Sequence, residues 1–330
     1  MKILTVSVAS YNIEKFIDQA LEPFLSDDIR DDLEVIIVND GSKDQTSKMA
    51  HRYAEKHPNT FIVVDKENGG YGSTINTSLP MASGKYYKLL DGDDWYNPKC
   101  LKEYINILKK SSEDLIITSG IWKEEETGKE IIHPAFEECK ENWHFTFDNY
   151  PYNQSIHAYN ATFKTSCIKN QGINITENCF YTDTEFLLKC LSKCNTMKYY
   201  NIPLYMYRIG RDEQSMSLEG LKRHYKDAIR YYKELLRYQN TENLSKGYKK
   251  NYLENALVSL AQYHLSTFYL LPSKLKKEYI EFDKYIKEKS KKIYQLSSTG
   301  RIKILRKTHY IGYSIVTWYS KKIYDRRSII

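Results

Sequence analysis

At 330 residues with 41% apolar side chains, the chain is too long for one small core and suits a large domain with an appendage. No run of about 18 apolar residues occurs, which excludes a membrane-spanning helix, and no low-complexity segment or internal repeat interrupts it. The charge is divided: residues 1–200 carry 22 Lys+Arg against 30 Asp+Glu, whereas residues 201–330 carry 27 against 12. A basic second half points to an acidic partner, and the lack of any nucleic-acid-binding motif disfavours DNA or RNA as that partner.

In chain order, the first expected strand is Ile3 to Ala9, an apolar β-branched run that stops at Ser10-Tyr11-Asn12. Ile13, Ile17, Leu21 and Phe24 then recur at helical spacing. Leu33 to Val38 reads as a strand buried on both faces and stops at Asn39-Asp40-Gly41-Ser42. A helix through Met49, Tyr53 and His57 leads to a strand at Phe61 to Val64, followed by Asn68-Gly69-Gly70-Tyr71-Gly72. A fourth strand, Tyr86 to Leu90, runs directly into Asp91-Gly92-Asp93-Asp94-Trp95. Alternating strands and helices predict a doubly wound α/β layer, and ligands of such sheets bind beyond the carboxyl ends of the strands. Three carboxylates within four residues repel one another unless a cation neutralises them, and Mg²⁺ or Mn²⁺ is the hard cation that oxygen ligands suit.

A fifth strand is expected at Asp114 to Ser119, then a hairpin from Trp122 to His133 turning at Thr127-Gly128. Residues 134–180 read as irregular and aromatic, with Phe136, Trp143, Phe145, Phe147, Tyr150, Tyr152 and Tyr159. Thr182 followed by Glu185 has the form of a capping box opening a helix. Leu204 to Arg208 reads as another strand, and the pattern is helical from Leu218 onward, with breaks at 240–246 and Pro272-Ser273. The six cysteines show no CxxC spacing, and Cys190 and Cys194 share a helical face as small apolar residues. With thiols of this kind and a first residue leading straight into a strand, the chain reads as a cytoplasmic protein with reduced cysteines. The 30 tyrosines suit carbohydrate and membrane-interface surfaces, although core packing is the ordinary use of any one of them.

The segments TVSVASYN, EVIIVNDGS, ENGGYGSTIN and ASGKYYKLLDGDDW, in that order, resemble glycosyltransferase family 2. The resemblance covers about residues 1–215 and implies a GT-A fold, a Rossmann-like, mostly parallel sheet, with a C-terminal helical extension. It implies a GT-A domain over 1–215, with a nucleotide-binding half at 1–120 and an acceptor half at 121–215, and a helical, basic region at 216–330. The implied reaction moves a sugar from a UDP-sugar to a glycan or lipid-linked glycan in surface polysaccharide synthesis, dependent on Mn²⁺ or Mg²⁺ and with inversion.

Asp91 and Asp93 match the family's DxD motif, which assigns Asp93 to the metal and Asp91 to the ribose or the metal. Asp94 is either a further ligand or a helix cap. The resemblance places Ser10, Tyr11, Asn12, Asp40, Asn68, Gly70 and Gly92 along the nucleotide-sugar. In it, Asp40 accepts a hydrogen bond from the uracil ring and Tyr11 lies beside the base. The ordinary reading of Asp40 is a turn acid, and that of Asn12 is a cap of the first helix. The family's Arg-Asn pair is absent, because Ser73-Thr74-Ile75-Asn76 stands there, so a basic contact is missing or supplied elsewhere. Asp183 matches the second acid of the family's Glu-Asp motif, the catalytic base, while Thr182 replaces the first. Its plain alternative is an acid complementing a helix dipole. Tyr181 and His157 are expected on the acceptor side; His157 is readable as touching the acceptor or the metal, but a lone histidine is more often packed or solvated. Arg208, Arg211 and Gln214 are expected on a mobile loop folding over the diphosphate.

Residues 301–330 hold eight basic residues and one acid around Ile311, Ile315, Val316, Trp318 and Tyr319. They form either an interfacial helix that seats the protein on the inner face of the cell membrane or a helix packed on the protein with a solvated basic edge. Two other functions belong to different classes. A non-catalytic nucleotide-sugar-binding or scaffold subunit differs by the absence of Asp183-dependent turnover. A nucleotidyltransferase is disfavoured because no glycine follows the first strand at Ser10-Tyr11-Asn12-Ile13-Glu14.

Overall fold

The computed structural model describes residues 1–136, 143–146, 156–210, 218–241 and 247–327. Two compact units appear, Met1–Gln214 and Ser215–Ile330. In the first, the strands are β1 (Leu4–Ser10), β2 (Leu33–Asn39), β3 (Phe61–Asp65), β4 (Tyr86–Asp91), β5 (Trp95–Tyr96), β6 (Leu115–Glu124), β7 (Glu130–His133), β8 (Trp143–Thr146), β9 (Ala161–Lys164) and β10 (Thr196–Ile209). The helices are α1 (Ile17–Leu21), α2 (Thr46–Lys56), α3 (Tyr71–Met81), α4 (Pro98–Lys110), α5 (Thr165–Ile168) and α6 (Thr182–Leu191).

The strands form one sheet in the order β3-β2-β1-β4-β9-β6-β10-β5, with β7 on β6 and β8 on β10. The first four are parallel and in close register: Ser10 lies beside Asn39, Asn39 beside Asp65, and Ala9 beside Asp91. The polar strand ends therefore do share one rim. β2 is buried along its whole length, as its unbroken LEVIIV run requires. Helices cover the sheet through Ile17, Leu21, Leu101, Tyr104, Ile105 and Leu108, which join Val6, Val8, Val35 and Ile37 in one core. Asn97 caps α4 by accepting from the Lys99 amide, and Pro98 occupies the first helical position, where its missing N–H is not needed.

The short antiparallel β9 separates the parallel set from β6 and β10. Lys88 fixes its approach: its buried ammonium donates to the main-chain oxygens of Tyr159 (2.6 Å) and Ala161 (3.2 Å). Burial pulls the pKa of that ammonium down to about 7. The expected hairpin is present as β6 against β7. The last expected strand is longer than its apolar core suggested, because β10 continues across Asn201-Ile202-Pro203 through two register irregularities.

The second unit contains α7 (Leu218–Thr241), α8 (Tyr248–Thr267), α9 (Lys276–Lys289), α10 (Lys291–Leu296), α11 (Gly300–Lys307) and α12 (Tyr313–Arg327). Its core is aromatic, with Tyr231, Tyr232, Phe268, Tyr279 and Phe282 buried beside Leu236, Leu257 and Leu265. Several polar groups within it are paired: the Tyr231 hydroxyl meets His264 Nε2 at 2.7 Å, and the guanidinium of Arg306 forks onto Asp283, which also accepts from Tyr310. Among the described residues, no helix is long and apolar enough to cross a membrane.

Candidate active site

The rim of the parallel strands carries most of the expected residues. Ser10 ends β1 with its hydroxyl buried and without a partner among the described residues. Tyr11 follows it, exposed. Asn12 does not cap the first helix: it lies at φ 52°, its Oδ1 accepts from the Lys43 amide, and its own amide donates to Ser42 Oγ. The side chain is used across the turn to the segment after β2, while α1 begins only at Ile17.

Asp40 is buried, and its carboxylate gathers the segment after β3. It accepts from the amides of Gly69 (2.9 Å) and Gly70 (2.8 Å), from Ser73 Oγ (3.1 Å) and from Lys66 Nζ (2.9 Å). Asn68 adds a bond from its side-chain amide to the Asp40 main-chain oxygen. Lys66 thus supplies a cation next to the position where the family's arginine is absent. The turn also docks on the chain leading to α6. The Asn178 amide donates to the Gly69 oxygen at 2.5 Å, and Asn76 pairs with the main chain of Ile175 in both directions. Gly72 is the tightest point of this seam, where a Cβ would stand 2.2 Å from the Thr176 oxygen.

The three acids after β4 have distinct environments. The Tyr71 hydroxyl donates to Asp91 Oδ1 at 2.7 Å, and burial, then the charge of Asp93, push the Asp91 carboxyl up to about 7. Gly92 is required between them, since a Cβ would come within 2.6 Å of the Ala9 oxygen and 2.5 Å of Ile13 Cδ1. Asp94 is buried and is not a helix cap, because Asn97 holds that position. It accepts instead from the Tyr205 hydroxyl (2.9 Å) and the Arg208 amide (2.8 Å). Burial and the neighbouring Asp91 and Asp93 raise its pKa.

Arg208 is a strand residue of β10, not part of a loop. Its guanidinium lies between the rings of Phe16 and Trp95, and it donates to the Asp93 main-chain oxygen, to Gln19 and to Glu125. It braces the turn of the acids from behind. Arg211 and Gln214 lie outside the described residues.

Asp183 sits in the first turn of α6 with part of its side chain open to solvent, and desolvation of the carboxyl by the surrounding protein raises its pKa. The helix begins where expected, but the capping box is not formed. Thr182 Oγ1 is buried and has no partner among the described residues, and Glu185 binds the Thr176 amide and Lys189 instead. The residue before the helix is Tyr181, in left-handed conformation at φ 65°. Asp183 lies close enough to Asp91 and Tyr71 that, after burial itself, both acids' charges raise the pKa of the Tyr71 hydroxyl. His157 is exposed and stacks on Tyr159 at 5.3 Å, with His133 edge-on beyond it.

Sequence reasoning missed Tyr71 and Tyr205 as site residues. The first stood inside the quoted glycine turn. The second lies more than a hundred residues from the acids it binds, and the pairing of β10 with β5 and β6 brings it there.

A parallel nucleotide-binding layer with strand-end acids, extended by mixed strands that bring in a further acid, is the GT-A arrangement of glycosyltransferases. The family described as glycosyl transferase family 2 matches residues 5–169, half of the chain, and the protein belongs to that family. It is 26% identical over 215 residues to the minor teichoic acid biosynthesis protein GgaB of Bacillus subtilis, covering 64% of this chain and 23% of that protein. It is 24% identical over 223 residues to the poly(ribitol-phosphate) β-N-acetylglucosaminyltransferase TarS of Staphylococcus aureus, covering 66% and 37%. The matched stretch is therefore well under two thirds of the length of these relatives. The fold is similar to the structure of S. aureus TarS 1–349 in complex with UDP-GlcNAc, with a TM-score of 0.74 at 19% identity over 99% of this chain and 92% of that one. It also resembles the Pyrobaculum calidifontis mannosyltransferase PcManGT in complex with GDP-Man and Mn²⁺, with a TM-score of 0.53 at 16% identity over 96% and 86%.

Proposed function

We propose that the protein transfers a sugar from a UDP-sugar to a hydroxyl of a glycan or lipid-linked glycan during surface polysaccharide synthesis, inverting the anomeric centre. The observation that carries this reading is the convergence at the strand-end rim: the Tyr71 hydroxyl binds Asp91, the Asp40 carboxylate holds the amides of Gly69 and Gly70, and the Gly69 oxygen ties this turn to Asn178 on the chain leading to Asp183. In this reading, Tyr11 and the turn after Asp40 seat the nucleoside, and Asp91 faces the ribose. Asp183 takes the acceptor proton as the oxygen attacks the anomeric carbon in line and the bond to the diphosphate breaks. Tyr181 and His157 face the acceptor. The relatives named for teichoic acid synthesis support a surface polymer as acceptor, and the TarS complex supports a UDP-sugar donor.

Among the described residues, no group of three or more His, Cys, Asp or Glu forms a ready metal cage. The chemistry of the acids nevertheless fits a divalent cation. Asp91, Asp93 and Asp94 offer hard oxygen donors, and their mutual repulsion, seen in the raised Asp91 and Asp94, is what a cation relieves. We assign Asp93, at the tip of the turn, as the ligand of Mn²⁺ or Mg²⁺, assisted by Asp91. When bound, the ion supplies charge stabilisation to the departing diphosphate.

Donor hydrolysis measured across UDP-, GDP- and dTDP-sugars, with and without Mn²⁺, tests the reading. Turnover of a UDP-sugar is expected, and binding without turnover of any donor would favour a scaffold subunit. Asp40→Ala removes the acceptor of two turn amides, so UDP affinity is expected to fall by about 1–3 kcal/mol in calorimetry. An unchanged dissociation constant would show that the turn stands without it and that the uracil does not use it.

A further inference from the structure

The last helix of the second unit is inverted relative to an ordinary packed helix. Among its described side chains, Tyr313, Thr317 and Ser320 are the buried ones, so two of these three are small hydroxyls. Those hydroxyls are engaged: Thr317 Oγ1 meets Ser273 Oγ at 3.1 Å, and Ser320 Oγ accepts from Arg301 at 3.0 Å. The large apolar side chains point the other way. Ile315 is 72% exposed, Trp318 63% and Tyr319 51%, and Ile311, in the turn before the helix, is 81% exposed. Helical spacing sets 315, 318, 319 and 322 on one face. Cations lie at its border, with Lys322 Nζ 5.2 Å from the Trp318 ring and the Arg301 guanidinium 5.4 Å from that of Tyr319.

We propose that this face of α12 docks the protein on an anionic bilayer surface, with Ile311, Ile315 and Trp318 entering the headgroup–acyl boundary and Lys321 and Lys322 lying against lipid phosphates. Aromatic and aliphatic residues with a basic border are the composition that sits at such an interface. Charge decides between this occupant and its rivals. Residues 301–330 carry eight basic residues and one acid, and of the eight only Arg306 is seen spent in the core, on the buried Asp283, among the described residues. A second copy would set two positive surfaces against each other, and protein interfaces are depleted in lysine. An acidic lipid surface matches both features. The tail is not a detachable anchor, because Ile302, Leu305 and Tyr313 are buried in the unit. Truncation would therefore expose core, and surface substitutions are the proper probe.

The experiment is co-sedimentation of the full chain with vesicles of phosphatidylcholine alone or mixed with phosphatidylglycerol. Binding is expected only with phosphatidylglycerol and should weaken as salt rises. Replacing Lys321 and Lys322 by Gln should reduce partitioning about fivefold per lysine, and Ile315→Ser with Trp318→Ser by about tenfold or more. These side chains lie at the surface, so thermal unfolding of each variant should match that of the parent chain. No sedimentation with phosphatidylglycerol vesicles at low salt would overturn the proposal. So would self-association of the chain in solution that the Ile315/Trp318 substitutions abolish, since the face would then be a contact between copies.

Discussion

Asp183→Asn is expected to keep UDP binding and to lose sugar transfer by roughly 10²–10⁴, the range associated with a positioned proton acceptor. The substitution is close to isosteric, and Asp183 is solvent-open, so α6 should form unchanged. Its raised pKa fixes the sign of the pH effect. Above its folded pKa the carboxylate is ionised and can take a proton. As pH falls through that value, which lies above the ordinary carboxylate range, transfer should decline. The same shift bears on stability: a carboxyl that is raised in the folded state favours folding at low pH and loses that contribution as pH rises through its folded pKa. The Asn variant cannot ionise, so at neutral pH it should be at least as stable as the parent chain. Steady-state transfer, UDP calorimetry and thermal melts of the two proteins check the three statements together. Transfer at the parent rate would leave Asp183 as a helix-terminal acid and nothing more.

Much of the rim was legible in the sequence because a parallel strand buried on both faces is an unbroken apolar run. β2 is such a run, β1 and β4 come close to it, and even the edge strand β3, with Ile62 exposed, keeps an apolar stretch; each of the four ends at Asn, Asp or Ser, and the structure sets those ends side by side. What stayed hidden depends on partners far along the chain. Asp94 looked like a cap because Pro98 follows closely, yet a tyrosine more than a hundred residues away and the Arg208 amide take it up. Arg208 reads both as the end of a strand and as part of the loop that Gly210 opens. Its pairing beside Lys123 of β6 keeps it in the strand, with its guanidinium over the rings of Phe16 and Trp95. Asn12 and Thr182 show the same limit in local form. Each has the chemistry of a cap, but a turn across the rim claims the first, and at α6 Glu185 turns away from Thr182 to Thr176 and Lys189. Helix starts were readable, whereas the bonds that satisfy them were not, since several donors compete for each acceptor. The inward hydroxyls of α12 belong to this class as well. Spacing alone put Thr317 and Ser320 on a face without saying which way that face turned.

Asp93→Ala is expected to lower transfer by about 10²–10³ while leaving the fold intact. The residue lies in the turn after β4, beyond the last strand hydrogen bonds, and it is the Asp93 main-chain oxygen, retained in alanine, that Arg208 Nε holds. Asp91 and Asp94 keep their tyrosine partners in the variant. The loss of one negative charge should even relieve those two acids, since the Asp93 charge contributes to raising both. Stability should therefore hold or rise while activity falls, which separates a functional role from a structural one. If the trio serves a divalent cation, excess EDTA should stop the parent enzyme and added Mn²⁺ or Mg²⁺ should restore it. The Asp93 variant should need far more of either ion to reach its residual rate. Parent activity that is indifferent to EDTA would remove the cation from the reaction. Asp93 would then have to act through its own charge or hydrogen bonding, and the acids after β4 would need another source of compensation, for which Arg208, whose Nε already holds the Asp93 main-chain oxygen, is a basic side chain in place.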